Sequence, residues 1–296
     1  MFSSKIKTIA GLVDAAASKS PSRLALISPF QNQEFTYQEL SQTTHALAGF
    51  LSMYGFEKKD LLVSDLPNTT ENLMVQLACN RLGVAYATAK DLGGMTKYPK
   101  VKGAICTASE GFLAETNLPL PYLDGNFLTE LIHEGGLEQF SDEVADADPT
   151  LPHAYYNSTS PFTNEQALKL GEEAAFQLAV YDEDVICVSI TLCHAFGMGS
   201  AISSALMMGA TIALPAVGGI RGCGVPSERA AATLDVLKEQ KCTLMFADTH
   251  TLKALPEPPH DLVLRGGVCK IGSGSDFLEE SRMYGGAKLM TMGKKE

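Results

Sequence analysis

Residues 155–166, YYNSTSPFTNEQ, hold the densest set of side chains in this chain that could handle a phosphate. Ser158, Thr159, Ser160 and Thr163 fall between an acidic segment and a helix-like run, the setting of a phosphate loop that opens a helix. Such a loop needs glycines, so that successive N–H groups turn toward the anion, and a cation to meet its charge. This stretch has neither. Thr159 and Phe162 carry Cβ atoms that disfavour φ > 0, Pro161 has no N–H, and Glu165 is negative. At ~4 Å and an effective dielectric of ~20, one unit-charge contact is worth about 4 kcal/mol. A carboxylate there opposes a nucleotide's phosphates, and no cofactor is expected.

Other candidates offer less. His194 lies in the run 185–220, which contains no Asp, Glu, Lys or Arg, beside Cys193 and Phe196. It reads either as a satisfied core histidine or as a pocket residue, since pockets are mostly apolar with few polar groups. Ser189, Ser203 and Ser204 have no acid–base partner at a recognisable spacing, and there is no G-x-S-x-G. The glycine-rich 218–224 matches no phosphate fingerprint, and 272–275 reads as a turn. Seven cysteines include no C-x-x-C pair, and no Cys/His set has zinc spacing. No metal is expected, and the thiols read as buried and reduced.

The elements that would position these residues alternate. Helices are expected over 9–18, 37–54, 70–82, 166–180, 201–208, 228–239, 249–255 and 276–283. Strands are expected over 24–28, 61–64, 84–88, 103–107, 121–123, 185–191, 211–214, 242–246, 262–264 and 287–290. Thr36 with Glu39 forms a capping-box signature, and Gly55 and Gly83 are helix stops. This order implies an α/β fold of mostly parallel sheets flanked by helices. The acidic, proline-bounded 141–152 reads as a linker between subdomains 1–140 and 153–296.

With 296 residues, 45% hydrophobic and 19% charged, the chain has enough apolar material for two such subdomains. A net charge of -11 without a Lys/Arg cluster excludes a nucleic-acid surface. The uncharged run 185–220 is punctuated by Gly197, Gly199, Gly209 and Pro215 and reads as strand, helix and strand, not as a membrane span. The first eight residues carry two lysines, two serines and no acid, which points to a mitochondrial rather than a cytoplasmic address.

The order of elements resembles the adenylate-forming superfamily of acyl-CoA synthetases, luciferases and peptide-synthetase adenylation domains. Phe35-Thr36-Tyr37-Gln38-Glu39-Leu40 looks like its F-T-Y-x-E-L helix start, and Pro67-Asn68 like its P-N turn. Leu192-Cys193-His194-Ala195-Phe196-Gly197-Met198-Gly199 looks like its F-H-x-F-G-x-G segment. Gly209-Ala210-Thr211 looks like its G-A-T strand entry, and Leu264-Arg265-Gly266-Gly267 like the strand before its S-G-G-A turn.

The resemblance implies the family's large domain, with its C-terminal domain absent. It also implies lost chemistry. Against the pattern Ser-Gly-Thr-Thr-Gly-x-Pro-Lys-Gly, the stretch from Ser158 keeps only that serine and a hydroxyl at Ser160, and Glu165 takes the lysine's place. Against the adenine motif Tyr-Gly-x-Thr-Glu, the chain has Met292, Gly293, Lys294, Lys295 and Glu296. The expectation is a catalytically inactive protein, serving as a structural or accessory subunit of a larger protein assembly such as a mitochondrial complex. An alternative is an acyl or acyl-CoA binding module using a vestigial acyl pocket at His194, Phe196, Gly197 and Gly267. A second alternative is one half of a split ligase.

Overall fold

The computed structural model describes residues 6–88, 101–107, 122–140, 149–156, 160–216 and 225–295. Most of the linker 141–152, the glycine-rich 218–224, Ser158, Thr159 and Glu296 lie outside the described residues.

Two mostly parallel sheets hold the molecule together. The smaller has six strands in the order β6-β5-β3-β4-β7-β8. These are β3 (Leu61–Ser64), β4 (Ala85–Thr88), β5 (Val101–Cys106), β6 (Tyr122–Asp124), β7 (Pro152–Tyr155) and β8 (Phe162–Thr163). The larger has eight strands, with β1 (Leu24–Ser28) and β2 (Gln33–Thr36) at one edge. Its centre is β9 (Val185–Ser189), β10 (Thr211–Ala213), β11 (Leu244–Asp248) and β12 (Gly266–Lys270). The hairpin β13 (Asp276–Tyr284) and β14 (Ala287–Gly293) closes the other edge.

The expected boundary at 141–152 does not separate these sheets. The β1–β2 hairpin joins the larger sheet through Leu26↔Ile212, and β7 joins the smaller through Tyr86↔Ala154. Hydrogen-bonded edges recruit strands from either side of the acidic segment, because an unpaired edge leaves backbone groups unsatisfied.

Helices pack against these sheets. They are α1 (Ile9–Lys19), α2 (Tyr37–Met53) and α3 (Thr70–Leu82), with α4 (Gly125–His133) and α5 (Asn164–Gln177) following, and α3 touches strands of both sheets. The capping box at the start of α2 forms: Thr36 Oγ1 accepts from Glu39 N, and the Glu39 carboxylate accepts from Thr36 N at 2.7 Å. A run of π-helix, Phe196–Ile202, leads directly into α6 (Ser203–Met208). α7 (Pro226–Glu239) and α8 (Thr249–Ala254) cover the larger sheet.

All thirteen residues of α3 are buried, including Glu71, Asn72, Gln76, Asn80 and Arg81. A helix enclosed on every side has to pair its polar groups internally. Arg81 lies against Asp14 of α1 through two hydrogen bonds of 2.6 and 2.8 Å and also reaches Thr44 Oγ1 of α2. Asn80 Oδ1 accepts from Ala10 N at 3.0 Å. These bonds tie three helices into one core that spans both sheets.

Two expected elements are corrected. Residues 276–283 are the strand β13, not a helix: Gly285 and Gly286, at φ 59° and 79°, make the tight turn that hairpins prefer. The strand expected at 262–264 forms instead at Gly266–Lys270. There a Cβ on Gly267 would stand 2.1 Å from Met245 O, so glycine permits the close approach of β11.

Candidate functional site

The hairpin β7–β8 sets the register of the suspected phosphate stretch. Ala154 pairs with Phe162 and Pro152 with Thr163, so the connection from Tyr156 to Phe162 is the five residues 157–161. Phe162 is a strand residue with 9% exposure, not a loop position. Its ring packs 5.6 Å from that of Tyr156, and a Cβ on Gly199 would come within 2.9 Å of its tip.

Thr163 is the N-cap of α5 in a capping box with Gln166. Glu165 therefore lies in the first exposed turn of that helix, where a carboxylate suits the macrodipole. The connection before β8 spans 157–161. Ser160 and Pro161 are exposed at its end. The five residues include Pro161, which has no N–H to offer an anion.

Beneath this hairpin runs a directional chain of buried hydrogen bonds. Ala10 N–H occupies Asn80 Oδ1, so Asn80 Nδ2 faces His153 Nδ1 at 3.1 Å and donates to it. The imidazole proton then sits on Nε2, 3.2 Å from the Tyr156 hydroxyl. Tyr156 donates in turn to Gln76 Oε1, and Gln76 Nε2 donates to Asn72 Oδ1 at 2.9 Å and to Leu192 O at 3.3 Å. Burial pushes the His153 pKa down to about 3, so the ring is neutral. The chain links the hairpin to the Thr191–His194 segment without a net charge.

That segment forms one wall of a cavity of about 260 Å³ at the C-terminal ends of β9, β11 and β12. Ligands of open α/β sheets bind outside the carboxyl ends of the strands. His194, Phe196 and Gly197, expected to share a pocket, all line it. Phe196 N–H donates to His194 Nδ1 at 3.0 Å, which places the neutral ring's proton on Nε2. A Cβ on Gly197 would meet Thr191 O at 2.1 Å, so this turn requires glycine. Gly267 does not join them: it lies mid-strand in β12 between Met245 and Leu289, and Gly272 lines the cavity instead.

The opposite wall holds residues that the sequence reading did not single out: Asp248, Thr249, His250 and Lys270. They were missed because they sit at the ends of β11 and β12 and match no motif. Asp248 caps α8 by accepting from Thr251 N at 2.7 Å and pairs with the buried Arg229 at 3.4 Å. Thr249 donates to Lys270 O at 2.8 Å. Lys270 is 9% exposed, donates to Gly274 O, and places its ammonium 5.8 Å from the centre of the Phe196 ring. Burial lowers its pKa, and the nearby Asp276 acts against that shift.

The expected adenine motif lies apart from the cavity lining. Met292 is fully buried, and its Sδ accepts from Ser200 Oγ at 3.6 Å. A Cβ on Gly293 would stand 2.7 Å from Ile271 O. Lys295 is exposed. Among the described residues no three His, Cys, Asp or Glu side chains gather as a metal site would require, and no helix is long and apolar enough to cross a membrane.

The profile of the AMP-binding enzyme family matches residues 13–96. An acetyl-coenzyme A synthetase of Methylocella silvestris is 28% identical over 157 residues, which cover 45% of this chain and 24% of that protein. A putative acyl-CoA synthetase of Bacillus subtilis, YngI, is 21% identical over 314 residues, covering 88% of this chain and 55% of that one. The chain thus spans about half or less of the length of these curated relatives. The fold of a Mycobacterium tuberculosis fatty acyl CoA synthetase superposes with a TM-score of 0.71 at 14% identity, over 92% of this chain and 56% of that one. Two mostly parallel sheets, the helix starts expected from the motifs and these matches agree: the chain has the fold of acyl-CoA synthetases, and its residues 13–96 match the AMP-binding enzyme family.

Proposed function

We propose that this acyl-CoA synthetase-like chain does not adenylate and acts as a structural or accessory subunit of a larger protein assembly. One observation carries the reading: β8 begins so early that only 157–161 remain for a phosphate loop. The core is kept while the anion cradle is not, and function resides in sites rather than folds. ATP–pyrophosphate exchange with the native protein and a panel of short and long carboxylic acids tests the first half. Exchange above background refutes it. Purification from native source tests the second half, and recovery of the chain alone, without stable partners, refutes that.

The cavity beside His194 favours a second reading, an acyl or acyl-CoA binding module without adenylation. Its walls are mostly carbon with a few polar groups, the composition of small-molecule sites. Thermal-shift measurements with acyl-CoAs separate the two readings.

A further inference from the structure

The ammonium of Lys270 is the least expected group in the cavity. Nine-tenths of the residue is out of water, yet its one hydrogen bond goes to a neutral carbonyl, that of Gly274. Among the described residues the ammonium makes no salt bridge; Asp276, at the start of β13, acts on it only from beyond ion-pairing distance. Asp248 is its partner across the sheet, but the Asp248 carboxylate is held by Arg229 and by Thr251 N. A buried cation with no carboxylate close enough to form an ion pair is expensive to keep, and buried charges in folded proteins are ordinarily paired. The Phe196 face offers only a weak cation–π contact at 5.8 Å.

The cavity is also small, about 260 Å³, against the roughly 300–1,000 Å³ of sites for drug-sized ligands. A long aliphatic tail would place hydrocarbon against the ammonium and leave it unsolvated. A short chain ending in an anion would satisfy it.

We propose that this cavity selects a short acyl group bearing its own carboxylate, and that Lys270 is the specificity-determining residue that anchors the carboxylate. The proposal rests on the acyl-binding reading of the site and names the ligand class. The carboxylate lies against the Lys270 ammonium between Phe196 and the Gly272–Gly274 turn, with the carbon chain along Phe196 and Ile190.

The test compares succinyl-CoA, butyryl-CoA and free succinate by isothermal titration with the full chain. The two thioesters have similar length and differ by the terminal carboxylate. Succinyl-CoA should bind at least about tenfold more tightly than butyryl-CoA, the ratio that about 1.4 kcal/mol confers. Lys270→Gln should abolish that preference, while Lys270→Arg, which keeps the charge, should retain most of it. Circular dichroism and the urea midpoint establish that both variants fold. Free succinate binding as tightly as succinyl-CoA would place the recognition in the free acid and still support the anchor. Equal binding of the two thioesters, a preference for butyryl-CoA, a preference that survives Lys270→Gln, or no binding by any of the three overturns the proposal. None of these outcomes bears on ATP–pyrophosphate exchange, so the non-adenylating reading stands or falls separately.

Discussion

His153 and Tyr156 meet three residues apart on β7 and just beyond it, with Nε2 of the first 3.2 Å from the hydroxyl of the second. The imidazole is fully buried and has Asn80 on its other nitrogen. Nothing near it compensates a positive charge, which is why the ring stays neutral to about pH 3.

A pH dependence follows. The folded pKa lies below the unfolded value of about 6.5, so the unfolded chain binds the extra proton. The stability contribution is present above pH ~6.5 and is lost progressively as pH falls toward 3, at up to about 1.4 kcal/mol per pH unit. Urea denaturation between pH 5 and 7.5 should show this slope, and His153→Gln should flatten it. An unchanged slope in the variant would remove His153 as its source.

Among the described residues Arg81 is the largest fully buried side chain, and its bidentate contact with Asp14 ties α3 to α1. Burial alone would raise the Asp14 pKa, but hydrogen bonds from His45, Arg81 and Ser41 hold it well below the usual carboxylate range. Arg81→Met would strand that carboxylate half-buried and is expected to destabilise the protein by about 3–5 kcal/mol. A double change, Arg81→Met with Asp14→Leu, should recover part of the loss in chemical denaturation.

Gly267→Ala should be severe although it adds one methyl group. That carbon would stand 2.1 Å from the backbone carbonyl of Met245, and a strand cannot yield as a side chain can. A loss of about 1–3 kcal/mol or more is expected, read as a lower urea midpoint with little change in m-value.

Glu165→Lys restores a cation in the sequence but not in the site. Glu165 lies on an exposed helix turn, so the change should alter stability by less than about 0.5 kcal/mol. ATP binding, followed with a fluorescent analogue, should remain absent. Nucleotide binding gained by this single change would restore the substituted-loop reading of 158–166.

Much of the fold was legible because local chemistry and tertiary packing agreed. The Thr36–Glu39 capping box, Gly83 closing α3 at φ 70°, and the apolar strands β1, β3 and β9 appear where periodicity placed them. The failures have physical reasons. At 276–284 the alternation of exposed residues was read as helical, although Gly285-Gly286 is a hairpin turn signal. The helix α4 was not foreseen, and Asp124, which caps it by accepting from Asn126 N, was its signal. In the candidate site, His194, Phe196 and Gly197 were readable because they are contiguous. Lys270 was not, because its meaning depends on which groups surround it in space. In the phosphate stretch, a motif aligned by residue type does not show where a strand begins; the pairing of Phe162 with Ala154 does.

The exchange of hairpins between the sheets bears on how the chain is made. Leu26 finds its parallel neighbour only at Ile212, so the first strand leaves a ribosome long before the strand beside it exists. Neither half of the polypeptide is then a self-sufficient folding unit. A cut within 141–148 should leave two pieces that hold together, while either piece synthesised alone should be trapped by chaperones or aggregate.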